Sequence, residues 1–455
     1  MTHIATPDFK AFKRVLVKSM SMYEPIKGFR DFYPKEMAPR REVMDTVESV
    51  AQRYGFREIG TPAVESAQLY ADKSGDEILE ELYSFEDRGG REIALTPELT
   101  PTVARMVVAR QQALSKPIKW MSTRPFWRYE EPQQGRFREF YQTNIDIFGS
   151  RDPTADAEIL AVAADALTAL GLDGDEFEFR VSHRDILGGL LESFDSDVET
   201  RAAIRAVDKR EKVTREEYLD ALTAAGLSID DAERFDALLD TPEDELDSLT
   251  EFADTDRVTE AVSNLKAVLA ATADFGAREY CTLSLTTARG LDYYTGVVFE
   301  CFDSTGEVSR AVFGGGRYDN LIEGFGGQPT PAVGFAPGYA TLSLLCQRAG
   351  VWPAEELTTD YYVLQVGDTR ETAADIARTL RARGHIVESD VSGRSFGAQM
   401  NYADSINAET VVIVGERDLA EGQVTLKEMA TGEQAQVPVE GFPGEYARPT
   451  VTDFE

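Results

Sequence analysis

Cysteine and histidine are nearly missing from this chain, with three of each in 455 residues. Cys281, Cys301 and Cys346 are scattered and never form a Cys-x-x-Cys pair, which excludes a disulfide framework or a cysteine-based zinc site. They are predicted to be small buried hydrophobes. His3, His183 and His385 have neither metal-ligand nor base-relay spacing, so no metal site is expected and each is read as structural. No apolar run approaches the roughly 20 residues of a membrane span, and no charged, apolar, then small-residue leader opens the chain. The expectation is a cytoplasmic protein with no membrane partner. Positive charge is also scarce: 47 Lys and Arg face 80 Asp and Glu, for a net charge of -33 and a pI near 4.5. Such acidity argues against a polyanionic partner, unless the protein works in concentrated salt, where charge is screened over a few Å.

A hydrophobic fraction of 42% suits a globular chain of two to four domains. Residues 1–22 read as a flexible, mildly basic extension. From Pro39, Val43, Val47, Val50 and Tyr54 trace a helix stopped by Gly55, and residues 56–64 read as an edge strand carrying Pro62. Asp152-Pro153-Thr154 opens a helix that Gly171 closes. Composition turns helical and acidic over residues 185–277, an inserted module that divides one domain into 23–184 and 278–350. A linker at 351–360 leads to residues 361–455. There strands at 361–366, 386–389 and 410–415 alternate with helices at 371–383 and 397–406, the pattern of a small α/β domain.

One segment carries more chemistry than the rest. Residues 128–146 form a hairpin on which Arg136, Arg138, Phe140, Gln142, Asn144 and Asp146 share one face, while Phe137, Tyr141, Ile145 and Ile147 share the other. The first face is too polar for a core, because unpaired buried charge costs several kcal/mol. With the hairpin centred on Gln133, Arg128 stands opposite Arg138. Like charges destabilise a sheet there, so an anion is expected between them, with phosphate the natural choice.

Other motifs are more ambiguous when taken singly. Glu98, in Thr96-Pro97-Glu98-Leu99-Thr100, is either a first-turn helix acid or a carboxylate that grips an ammonium group. Arg289 beside Gly290, followed by Asp292, Tyr293 and Tyr294, points to close approach of an anion. Gly314-Gly315-Gly316-Arg317-Tyr318-Asp319 reads as a flexible turn. Residues 331–342 read as a small-residue strand turning into an apolar helix.

Together the hairpin, the Glu98 segment and the Arg289 segment resemble the histidyl-tRNA synthetases, members of class II of the aminoacyl-tRNA synthetases. The resemblance spans residues 27–439. Residues 55–62 resemble motif 1, residues 126–142 motif 2, and residues 289–296 the stretch that sets histidyl enzymes apart. It implies an α+β fold: an antiparallel class II catalytic sheet with flanking helices, a helical insertion and a C-terminal α/β anticodon-binding domain, in a homodimer. It implies ATP with Mg²⁺, L-histidine and tRNA(His) as substrates. By the same resemblance Glu98 holds the α-ammonium of histidine, and Arg128 and Arg289 grip the α-phosphate as catalytic residues. Arg136, Arg138 and Arg317 join them in binding ATP. Gln142, Asp146, Tyr293, Tyr294 and Tyr318 surround histidine, and Gln133 meets the acceptor end of the tRNA. The acidity, with arginine far commoner than lysine, resembles proteins of extreme halophiles.

Two features depart from the family pattern. Thr341, after Ala340, stands where motif 3 normally places an arginine over the ATP phosphates, so either another arginine such as Arg317 compensates or ATP binds less tightly. Asp146 stands where many relatives have glutamate. Thr341 alone favours a different reading, the synthetase-like regulatory subunit of ATP phosphoribosyltransferase, which binds histidine without acylating tRNA. Residues 361–439 argue against that reading. A tRNA-binding module without chemistry would not need Glu98, Arg128 and Arg289. A synthetase for threonine, proline or glycine would lack the run from Arg289 to Tyr294.

Overall fold

The computed structural model describes residues 23–71, 79–194, 196–287, 293–308, 310–354 and 358–442. They fall into two units, the described parts of Met1–Asp31 with Val43–Trp352, and of Phe32–Glu42 with Pro353–Glu455.

In the first unit the strands are β1 (Arg57–Glu58), β2 (Val64–Ser66), β3 (Ser84–Glu86), β4 (Glu92–Leu95), β5 (Ile118–Trp127), β6 (Glu139–Phe148), β7 (Phe177–His183), β8 (Cys281–Leu283), β9 (Val297–Asp303), β10 (Phe313–Arg317) and β11 (Ala332–Phe335). Eight of them form one sheet in the order β1-β5-β6-β11-β10-β9-β7-β8, and β2-β4-β3 form a small second sheet. The large sheet is antiparallel except at its two ends, where β1 joins β5 and β8 joins β7 in parallel.

Period-two alternation gives the sheet two buried faces. Met121, Ile145, Ile147, Val297 and Phe299 enter one core with Val43, Val47 and Val50 of the Pro34–Arg53 helix and with the Pro153–Ala169 and Asp256–Asp274 helices. Ile118, Phe126, Phe148 and Val298 enter a second core with the Thr100–Arg110 helix. Asp152 caps the Pro153–Ala169 helix by accepting from Thr154 N, as its sequence signals. All three cysteines are buried and unbonded, and His183 is a buried N-cap whose Nδ1 accepts from Asp185 N at 3.2 Å. Burial holds His183 at about 4, so it is neutral. His385, at 3.4 Å from Asp360, belongs to the second unit.

Two local expectations need correction. Residues 56–64 do not form one strand: β1 and β2 lie in different sheets, with Pro62 between them. The glycine run at 314–316 is no flexible turn but the middle of the fully buried β10. Added methyls show why glycine is needed. One on Gly315 would come within 2.4 Å of Gly334 O, and one on Gly316 within 2.8 Å of Val297 O.

The second unit has a five-stranded sheet of β12 (Thr359–Val366), β13 (Val387–Ser389), β14 (Ala408–Gly415), β15 (Gln423–Glu428) and β16 (Gln434–Pro438), ordered β13-β12-β14-β15-β16. The first three are parallel, and the helices Arg370–Ala382 and Phe396–Ser405 lie between them in sequence. That is the alternation the sequence predicts, with an antiparallel β14-β15-β16 extension added. No helix among the described residues is long and apolar enough to cross a membrane.

Candidate active site

The β5–β6 hairpin has the predicted register. Phe126 faces Phe140, Arg124 faces Gln142, and Arg128 N donates to Arg138 O at 3.0 Å. At the tip the pairing shifts. Gln133 and Arg136 close a tight turn on each other's backbone, with Gly135 at φ +75°, so Gln133 and Arg136 are both exposed.

The residues expected around an amino-acid substrate converge. Glu98, on the loop before the Thr100–Arg110 helix, is buried and accepts from Tyr293 Oη at 3.2 Å. The Tyr293 ring meets those of Tyr294 and Tyr318 at 5.0 and 5.9 Å between centroids. Tyr318 Oη in turn donates to Asp146 Oδ1. A continuous path thus runs from Glu98 through the tyrosines to Asp146. Gln142 Nε2 donates to Ala336 O at 3.1 Å, on the segment that leads into the Tyr339–Ala349 helix. Burial pushes Asp146 up to about 7, partly offset by the hydrogen bond from Tyr318. It raises the Tyr318 phenol as well, so that group stays a donor.

Arg128 stands beside the Glu98 end of this path. Its Nε donates to Pro97 O at 3.0 Å, beside Glu98, and its guanidinium carbon lies 5.5 Å from the Phe140 ring centroid. Arg136 makes an ion pair with Glu130 at 3.4 Å. Arg289 and Asp292 lie outside the described residues.

Two arginines expected at ATP are occupied elsewhere. Arg138 is buried, stacks 3.9 Å from the Tyr129 ring centroid and donates from Nε to Glu130 O. Gly28 permits this packing, because a Cβ there would fall 2.7 Å from Arg138 Cγ. Arg317 is also buried: it forks onto Asp156 and reaches Ser150 O and Asp319 Oδ1. With its donors consumed, it cannot stand in for the motif 3 arginine. The single Thr341 hydroxyl hydrogen is shared between the Val312 and Gly338 carbonyls, both within reach of Oγ1.

Two further polar groups belong here. Asn144 Oδ1 is buried without a hydrogen-bond partner, which marks a position awaiting a donor, and the buried Glu130 Oε2 accepts no hydrogen bond and meets only the Arg136 guanidinium at 3.4 Å. Both were within reach of the alternation, since Glu130 is two residues beyond Arg128 and Asn144 lies between Gln142 and Asp146.

An antiparallel sheet with a parallel strand at each edge, built around this arginine-bearing hairpin, places the chain among the class II aminoacyl-tRNA synthetases. Residues 28–342 match the sequence model of the family described as histidyl-tRNA synthetase, and residues 360–447 match that of an anticodon binding domain. The histidine–tRNA ligase of Haloarcula marismortui is 74% identical over 95% of this chain and 100% of its own length. That of Pyrococcus abyssi is 38% identical over 92% of this chain and 97% of its own. Among solved structures, the histidyl-tRNA synthetase of a Nostoc species superposes with a TM-score of 0.78 at 25% identity, covering 92% of this chain and 97% of that one. The apo enzyme of S. aureus gives 0.70 at 25%, covering 92% and 98%. The chain belongs to the histidyl-tRNA synthetase family.

Proposed function

We propose that the chain is a histidine–tRNA ligase that uses the pocket between Glu98 and Asp146 for histidine and the β5–β6 hairpin for ATP. The observation that carries this reading is the path Glu98–Tyr293–Tyr318–Asp146, which offers a carboxylate at each end and hydroxyls between. Glu98 takes the α-ammonium. Asp146, with Gln142, Tyr293, Tyr294 and Tyr318, receives the imidazole, whose polar nitrogens satisfy groups that an apolar side chain would leave unpaired.

Adenylation brings a carboxylate to a phosphate. A histidine carboxylate oxygen bonds to the α-phosphorus as the bond to the bridging oxygen breaks, and pyrophosphate departs with the electron pair. Fixed guanidinium groups aimed at the developing charge lower this barrier. Arg128 and Arg289 take that role at the α-phosphate, and Arg136 faces the outer phosphates. The acyl group then passes to the 3′ end of tRNA(His), with Gln133 at the hairpin tip meeting the acceptor end. Mg²⁺ is read as part of the ATP substrate, carried in on its phosphates.

A homodimer is part of the proposal, supported by the resemblance of residues 55–62 to motif 1 and by the exposure of Arg57 and Glu58 on the edge strand β1. The setting is a cytoplasm rich in salt, in keeping with the charge of -33 and the haloarchaeal relatives. The test is charging of tRNA(His) with labelled histidine by the full chain in molar KCl. Label esterified to the 3′ end is expected, and its absence alongside measurable histidine binding would point to a binding protein instead.

A further inference from the structure

With Thr341 in the motif 3 position and Arg317 committed to Asp156, the outer phosphates of ATP lack one expected cation on the flank of the hairpin turn. Another arginine stands beside that flank. A Cβ built on Gly135 would meet Thr341 Cγ2 at 3.5 Å and Arg310 Nη1 at 3.7 Å, so the threonine and this guanidinium border the same small volume. Arg310 precedes β10, is partly buried, and makes no hydrogen bond or ion pair with any described residue. Its neighbours sharpen the point. Burial and then the adjacent Arg136 lower its proton affinity, while Glu130 opposes them. Glu130 is a single carboxylate between two guanidiniums and is already paired with Arg136.

Two adjacent guanidiniums that share one carboxylate, the partly buried Arg310 having no ion pair of its own among the described residues, form a charge arrangement that an anion completes. We propose that Arg310 is a binding residue for the β- and γ-phosphates of ATP, supplying from the connection between β9 and β10 the cation that the Tyr339–Ala349 helix would carry at position 341. It acts on the leaving pyrophosphate, whose negative charge grows as the bond from the α-phosphorus breaks. The inference rests on the adenylation reading above and deepens it.

The experiment is histidine-dependent ATP–pyrophosphate exchange by the full chain in molar KCl, comparing wild type, R310A, R310K and the swap R310A/T341R. A charge-assisted phosphate contact predicts that R310A raises KM for ATP and for pyrophosphate by roughly tenfold or more, leaving KM for histidine within about twofold. R310K is expected to fall between wild type and R310A, because lysine keeps the charge and loses the fork. The swap is expected to recover ATP affinity, which a merely structural role for Arg310 would not allow. An active wild type whose R310A variant keeps the same KM for ATP overturns this inference and leaves the adenylation reading intact. A wild type with no histidine-dependent exchange overturns both.

Discussion

Tyr318 donates its phenolic hydrogen to Asp146 at the centre of the sheet, where Asp146 lies directly across β6–β11 from Gly334. Burial has pushed the Asp146 carboxyl up to about 7, and this sets a sign for both activity and stability. If the anion receives the imidazole, kcat/KM for histidine falls as pH drops below about 7, approaching one decade per pH unit. Stability runs the other way. A carboxyl whose folded pKa lies above its unfolded value stabilises when protonated, fully below about 4, and that contribution is lost as pH rises through about 7. The expected result is a pH–rate profile with an acid limb near 7 that Asp146→Asn removes, together with an Asp146→Asn melting temperature less sensitive to pH between 4 and 7.

Tyr318→Phe tests the same contact from the donor side. The hydrogen bond lowers the Asp146 pKa, so its loss shifts the acid limb toward higher pH. It also raises KM for histidine by roughly tenfold, the cost of a hydrogen bond to a charged group. Steady-state exchange across pH 6 to 9 reads both effects.

Arg317→Ala separates a structural arginine from a substrate-binding one. Removing it strands the buried Asp156, and breaking a buried pair costs about 3–5 kcal/mol. A marked drop in melting temperature is expected, with KM for ATP unchanged in the surviving folded protein. A raised KM for ATP without loss of stability would return Arg317 to the ATP site.

Gly334→Ala tests how closely the sheet is fitted around the pocket. Its new methyl would sit 2.1 Å from Asp146 Oδ1 and 2.7 Å from Ile145 O. Overpacking of this kind costs about 1–3 kcal/mol, and here the displaced atom is the proposed imidazole acceptor. Loss of histidine binding larger than the loss of stability is expected, read by calorimetric titration with histidine.

Much of this site was legible because strand periodicity is simple. Residues 126, 128, 138, 140 and 142 fall into register from the position of the turn alone, and the second unit's strands and helices follow their hydrophobic spacing. What periodicity cannot show is how a long side chain spends its donors. Arg138 and Arg136 are two residues apart in the segment leading into β6, yet Tyr129, Gly28 and the Glu130 carbonyl claim the first while the second reaches the exposed tip. Arg317 looks like its neighbours until Asp156, distant in sequence, is seen beneath it. Gly315 and Gly316 pass for a loop because the backbone carbonyls that exclude any side chain there, Gly334 O and Val297 O, come from β11 and β9. Asn144 shows its value through a buried oxygen without a hydrogen bond, and Glu130 through a buried oxygen that meets only Arg136, properties of packing and not of order along the chain.

Amino-acid-dependent ATP–pyrophosphate exchange, run with each of the twenty amino acids on the full chain in molar KCl, bears most directly on the claim that the Glu98–Asp146 pocket activates histidine. Exchange with histidine alone, abolished by Glu98→Ala and by Arg128→Ala, is the predicted result. Exchange with a different amino acid, or undiminished exchange in those two variants, would contradict it.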